Sequence, residues 1–422
     1  MKILLRGAKI IDGTGSEPVP GGDMLIDGDK IISIDKFNGN NTEKSDIETI
    51  DLSGKIIIPG LINSHLHILA DAELDASLFI ADIESETYSA FRGYKNLKLL
   101  LRSGVTYARD LGGPKHINTE LKKARQSGLI TKGCEFVTAG EAITTTGGHI
   151  WKISRECDGV SDVRKAVREQ FKAGADCIKM LITGGYSTPG VHPKTVQFTQ
   201  DEICAAVEVA HMANKKIAAH TYGLKAIRMA VEGGIDSIEH CEFFPEDNPK
   251  DVDLVIEMMA KKGTYYVPTL SAWFKDFTEE YGKLGEIKAE VLEKKLLRQP
   301  DHVRPMNVKR EYYCLKQIFD NAAKIYRGGV RIAMGTDSGI RGIYFDRHSF
   351  EMKCMQYIGM SPMEVILAAT RNAAELLGIS SDYGTLEPGK IADFVVLNKD
   401  PLLDMDHIYD IHQVYKKGQA VI

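Results

Sequence analysis

The sequence predicts a (β/α)8 barrel, the TIM-barrel architecture, carrying a small β-sandwich domain built from both chain ends. Three observations carry that expectation. The middle of the chain alternates strand-like and helix-like segments, both ends read as short strands joined by turns, and titratable residues recur at the C-terminal ends of the central strands. Strict β–α alternation implies parallel strands joined by right-handed crossovers. Eight such units favour closure into a barrel over an open doubly wound sheet.

At the N-terminal end, strands are expected at residues 3–5, 9–11, 24–26, 30–34 and 48–50, punctuated by Asp12-Gly13 and Asp27-Gly28. The C-terminal end repeats this texture, with a turn at 384–390 and strands at 392–397 and 413–416. The simplest division is therefore residues 1–59 plus 379–422 for the β-sandwich domain and 60–378 for the inserted barrel.

Barrel strands are expected at 61–67, 105–110, 135–139, 177–181, 217–221, 236–240, 265–269 and 331–336. Helices are expected at 162–172, 201–214, 224–232, 250–261 and near 309–326. Thr199-Gln200-Asp201-Glu202 is a capping box, and Asn248-Pro249 sets a cap before a first-turn proline. Ser361-Pro362-Met363-Glu364 opens a closing helix that runs to Leu377 and stops at Gly378.

Composition narrows the function. With 422 residues, 43% of them hydrophobic and 26% charged, the chain reads as an ordinary soluble globular protein with a large core. A net charge of −5 without a basic stripe argues against a nucleic-acid partner. The seven cysteines include no Cys-x-x-Cys pair, which suits a reducing compartment. No window approaches the ~20 apolar residues that span a bilayer, and the apolar run near Met1 is too short for a signal peptide. A cytoplasmic enzyme acting on a small-molecule substrate, with no membrane partner, is expected.

In a barrel, active groups sit at the C-terminal ends of the strands. His65 and His67 end the first strand, and residues two apart on a strand share a face, so both imidazoles converge as metal binding requires. Lys179 lies in the fourth strand, His220 ends the fifth, His240 the sixth and Asp337 the eighth. Taken singly, each has a bland reading. A strand-end histidine is usually packed or on the surface, Asp337 beside Gly339 suits a turn, and Lys179 suits a rim lysine. Jointly, four of twelve histidines fall at the ends of three strands on one rim.

These residues resemble the amidohydrolase superfamily, in its binuclear branch with a carboxylated lysine. The resemblance rests on Pro59-Gly60-Leu61-Ile62-Asn63-Ser64-His65-Leu66-His67, Lys179, His220, His240 and Gly335-Thr336-Asp337, and extends through Leu386-Glu387-Pro388-Gly389-Lys390 to Val395. Gly147-Gly148-His149, Thr183-Gly184-Gly185 and His220-Thr221-Tyr222-Gly223 are similar to the imidazolonepropionase-like group, which includes Xaa-Pro dipeptidases, carboxypeptidases acting on N-acyl or N-peptidyl amino acids, and ochratoxin hydrolase.

The resemblance implies a metal-dependent amidohydrolase that cleaves the C-terminal amide bond of dipeptides or N-acyl amino acids. His65, His67 and Asp337 would hold one divalent ion, His220 and His240 a second, with Lys179 bridging them as a carbamate formed from carbon dioxide. Zinc is the expected metal, although manganese and iron also suit these donors. Asp337 would move the proton, His149 and Tyr222 would contact the substrate carboxylate, and the chain would form a homo-oligomer. A cyclic-amide or imidazolone hydrolase or a deaminase on the same scaffold competes with this reading. Such deaminases usually use one metal, lack the bridging lysine and carry a glutamate where this chain has Gly223. A non-catalytic binding protein should have lost ligands, yet all six are present. Bulky Ile150-Trp151 and Phe243-Phe244 set the chain apart from the dipeptidases, so proline specificity does not follow. Residues 271–310, aromatic and charged from Trp273 to Tyr281, suit a lid, an oligomer contact or a surface helix equally.

Overall fold

The computed structural model describes residues 2–36, 47–74, 80–277 and 315–421. Strands from both chain ends form one eight-stranded sheet. Its order is Gln419–Ala420, Ile411–Lys416, Phe394–Leu397, Ile56–Pro59, Lys2–Ile10, Val19–Asp27 and Lys30–Lys36, with Ile47–Asp51 also paired to Lys2–Ile10. The expected strands at 3–5 and 9–11 are one strand, with register shifts between Leu5 and Ala8 and between Ala8 and Ile10. The irregularity lets its first half pair with Ile47–Asp51 and its end with Ile56–Pro59. In hydrogen-bond terms the result is one continuous sheet rather than the two stacked sheets of the expected sandwich. Alternation along its strands feeds two cores. Leu5, Ile10, Met24, Ile57, Phe394 and Val396 pack in a core of their own, while Ile56, Ile58, Val395 and Leu397 face the main core.

The apolar run leading to His65 is two strands in two sheets. Ile56–Pro59 belongs to the terminal sheet and Leu61–Leu66 to the centre of the molecule. Gly60 makes the change, because a Cβ there would lie 2.2 Å from Thr106 Oγ1.

The central strands pair in parallel. Leu61–Leu66, Val105–Asp110 and Glu135–Thr138 form a three-stranded sheet. Cys177–Leu181, Lys216–Tyr222, Ser237–Glu242 and Tyr265–Val267 form the body of a six-stranded one, extended at its edge by Ala142–Thr144 and Ser154–Glu156. Further backbone bonds link the two: Asp176 N–H donates to Thr138 O at 2.8 Å, Tyr266 N–H to Arg331 O at 2.9 Å and Ser64 N–H to Met334 O at 2.7 Å. The expected strand at 331–336 is reduced to one isolated bridge, Ile332 with Tyr266, and a second bridge, Ser338 with Leu66, lies just beyond it. Met334 N–H turns to Ala368 O, Ser338 N–H turns to Thr336 Oγ1, and Asp337 takes a left-handed φ of 60°, which together interrupt a regular ladder.

Helices Gly159–Ala173, Gln200–Met212, Leu224–Gly233, Pro249–Lys262 and Leu315–Arg327 stand where expected. Three longer helices were not anticipated: Glu86–Arg102, Ile117–Gln126 and His348–Tyr357. The first buries Ser89, Arg92 and Asn96 alongside Leu97, Leu100 and Leu101, so polar residues interrupt its apolar period. The closing helix is broken into Pro362–Ala368 and Arg371–Leu377. The break frees the carbonyls of Ala368 and Ala369, which accept from Met334 and Ile62 at 2.9 and 2.7 Å. Among the described residues, no helix is long and apolar enough to cross a membrane.

Candidate metal centre

The strand ends deliver the expected groups to one point. Nε2 of His65 and of His67 lie 3.4 and 3.3 Å from Asp337 Oδ1. The His240 ring lies 5.1 Å from that of His65 and 4.7 Å from that of His220. One donor atom each from His65, His240 and Asp337 fall within 4.8 Å of one another. Lys179 shares the cavity, with its Nζ buried and without a hydrogen-bond partner among the described residues. His149 and Tyr222 line the same cavity, which opens to solvent. All eight predicted site residues are thus brought together. Backbone strain gathers here as well: Ile150, His240, Cys241, Thr269 and Asp337 all hold left-handed φ values, which non-glycine residues rarely adopt.

Each histidine has its second ring nitrogen engaged. His65 Nδ1 bonds Glu239 Oε2 at 2.8 Å, His67 Nδ1 donates to Gly112 O at 3.1 Å, and His240 Nδ1 meets Thr269 Oγ1 at 2.7 Å. These bonds leave three Nε2 atoms for the centre. His220 is reversed, with Nε2 donating to Gly184 O at 3.2 Å, which leaves Nδ1. Orienting bonds of this kind are what metal-binding imidazoles use.

Beneath His65 lies a buried ionic network that sequence reasoning missed. Glu239 Oε1 accepts from Arg109 Nη2 at 2.9 Å and from Ser237 Oγ at 2.5 Å, and Arg109 Nε donates to Ser64 O at 2.6 Å. A usable signal existed: a glutamate and an arginine on separate buried strands each need a partner of opposite charge.

Electrostatics follow from burial. Burial pushes the Lys179 amine down to about 8, with Glu239 opposing that shift and Arg109 adding to it. Burial would raise Asp337, but His65 and His67 hold it well below the usual carboxylate range. Burial and the neighbouring His149 and His240 hold His220 low. Burial, with Lys179 next, pushes His149 down to about 3. Four imidazoles, an ionised carboxylate and a buried amine with no hydrogen-bond partner among the described residues form a donor set that fits divalent cations.

Leu111, Ile150, Leu181 and Trp273 also line the cavity. Trp273 arrives on the 3-10 segment Leu270–Phe277, whose Leu270 and Ser271 N–H groups donate to Glu351 at 2.9 and 2.6 Å. Glu351 was also missed. Residues 278–314, which hold most of the segment suggested as a lid or oligomer contact, lie outside the described residues.

Residues 56–421 match the amidohydrolase family, and the chain belongs to that family, as a metal-dependent hydrolase acting on carbon–nitrogen bonds. It is 28% identical over 452 residues to the ochratoxinase of Aspergillus niger, covering 99% of this chain and 84% of the relative. The crystal structure of a Xaa-Pro dipeptidase with bound methionine superposes with a TM-score of 0.80, at 29% identity and 100% coverage of both chains. A 5'-deoxyadenosine deaminase of Methanothermobacter thermautotrophicus is 24% identical over 445 residues, covering 99% of this chain and 90% of the relative.

Proposed function

We propose that this chain hydrolyses the C-terminal amide bond of dipeptides or N-acyl amino acids at a binuclear centre. The observation that carries the reading is Lys179: a buried amine with no hydrogen-bond partner among the described residues, lining one cavity with His65, His67, His220, His240 and Asp337. An amine there is costly to bury, and conversion to a carbamate turns it into a bidentate anion. Its nitrogen attacks the carbon of carbon dioxide and releases a proton. His65, His67 and Asp337 would hold one ion and His220 and His240 the other, with the Lys179 carbamate between them and zinc the metal that best suits the donors. When bound, the ions supply Lewis acidity at the scissile carbonyl and a water acidic enough to lose its proton near neutral pH.

The chain's own groups supply the rest. Asp337, held ionised by its histidine neighbours, accepts the proton of the attacking water and returns it to the leaving amine. His149 and Tyr222 bind the leaving group's carboxylate. Leu111, Ile150, Leu181 and Trp273 exclude water from the acyl side. The amide-cleaving relatives support this substrate class. The deaminase relative supports the alternative of a deaminase or cyclic-amide hydrolase, but Gly223 and Lys179 fit it poorly.

The same reading takes the fold as a closed (β/α)8 barrel, supported by backbone bonds that run from Leu61–Leu66 through seven further segments and back to Ser64 and His65. It divides the chain into residues 1–59 plus 379–422 and residues 60–378, supported by the separate core of the terminal sheet. It takes the enzyme as a cytoplasmic homo-oligomer; free thiols at Cys134, Cys157, Cys177, Cys204, Cys241 and Cys354 suit that compartment. Amine release from a library of dipeptides and N-acyl amino acids, with zinc or manganese added, tests the activity. Hydrolysis confined to lactones, ureas or cyclic imides would overturn it.

A further inference from the structure

We propose that Thr188 is a positioning residue that fixes the tautomer of His149, so that Nε2 carries the proton and donates it in a hydrogen bond to the substrate. The proposal rests on the reading of His149 as a substrate-binding group.

Two loops carry the device. One follows Ala142–Thr144 and bears His149; the other follows Cys177–Leu181 and bears Thr188. Gln197 braces them together. Its Oε1 accepts from His149 N–H at 2.8 Å, and its Nε2 donates to Leu181 O at 2.8 Å and to Thr144 Oγ1 at 3.2 Å. Thr188 Oγ1 accepts from Ile150 N–H at 2.7 Å and lies 3.1 Å from His149 Nδ1.

The hydrogen-bond inventory then decides the tautomer. Thr188 is buried, and among the described residues His149 Nδ1 is the acceptor within reach of its hydroxyl proton. If Nδ1 carried a proton, two hydrogens would compete and the hydroxyl would be left without an acceptor. Nδ1 therefore accepts, and the ring proton sits on Nε2. Two contacts hold the ring. His149 stacks on His220 with centroids 4.7 Å apart and planes 28° apart. Gly185 packs against the ring, where a Cβ would come within 2.4 Å of Nε2 and Cε1.

The consequence is chemical. His149 lines the cavity. With Nε2–H it offers a neutral donor to an anionic oxygen of the substrate. The other tautomer would present a lone pair there and repel that oxygen.

The test uses full-length, zinc-loaded protein labelled with 15N-histidine. In the free enzyme, 15N spectra should show His149 protonated at Nε2 and bare at Nδ1, its signal assigned by its loss in H149Q. T188V removes the hydroxyl at nearly constant shape and should shift His149 toward the Nδ1–H form. It should also raise KM for a cleaved dipeptide about tenfold, with a smaller change in kcat. T188S should restore both. H149Q, whose amide N–H falls near the Nε2 position, should retain more affinity than H149N, whose amide falls near Nδ1. An Nδ1–H form in the wild type overturns the proposal, as does T188V with an unchanged tautomer or an unchanged KM. The spectra need no turnover. A protein that cleaves no dipeptide but shows the Thr188-dependent tautomer would therefore refute the substrate reading alone.

Discussion

Replacing Glu239 by Gln should cost the protein about 3–5 kcal/mol of stability, the penalty for breaking a buried ion pair from one side. Glu239 is 0% exposed and Arg109 1%. The carboxylate accepts from three donors: Arg109 Nη2, Ser237 Oγ and His65 Nδ1. A glutamine can keep an oxygen toward Arg109 or toward His65, but its amide nitrogen then faces the other donor. Arg109 loses its counter-charge in either arrangement, and its remaining bonds to Ser64 O and Ser237 Oγ carry no negative charge. Urea unfolding of the metal-free protein, followed by far-ultraviolet circular dichroism, measures the loss. The double variant R109M/E239Q removes the stranded cation and should recover a large part of it. Zinc titration supplies a second readout: without the Glu239 bond the His65 ring is free to turn, and affinity should fall about 10- to 100-fold. A loss below about 1 kcal/mol together with unchanged zinc affinity would refute this account of the network.

Lys179→Met should remove a pH effect. The Lys179 amine is held at about 8, below the usual 10.5, so between those values the unfolded chain binds more protons than the folded one. Metal-free wild type should therefore gain stability relative to K179M as pH rises through this window, by up to about 3 kcal/mol, and parallel unfolding curves would contradict it. K179A should be inactive and partly rescued by short carboxylic acids; undiminished activity would remove Lys179 from the centre. Gly185→Ala should push the His149 ring aside, since its Cβ would sit 2.4 Å from ring atoms, and lower kcat/KM on the order of a hundredfold. Steady-state kinetics within about twofold of wild type would show that the ring position is not needed.

The rim of the site was legible because it is written locally. His65 and His67 two residues apart, and His220, His240 and Asp337 at the ends of apolar runs, need only strand periodicity and the rule that barrel strands end at the chemistry. The pairings of the groups that orient them were not legible, because distant strands create those contacts. Arg109 and Glu239 lie 130 positions apart, and Thr188 and His149 lie 39 apart. The fold shows the same divide. Helices with clear caps, such as Gln200–Met212 with its capping box, were readable. Glu86–Arg102 was hidden by buried Arg92 and Asn96, whose side chains donate to the carbonyls of Leu69, Ile68 and Ala70 in the loop after His67. The break at Thr370 answers a need of strands far away in sequence for the carbonyls of Ala368 and Ala369, and nothing in the helix's own residues announces it.

Metal content set against activity tests the central claim most directly. Protein stripped of metal and titrated with zinc or manganese in the presence of bicarbonate should reach full amide-hydrolase activity at about two ions per chain. Full activity at one ion per chain, or in the metal-free protein, would contradict a binuclear centre built on His65, His67, Lys179, His220, His240 and Asp337.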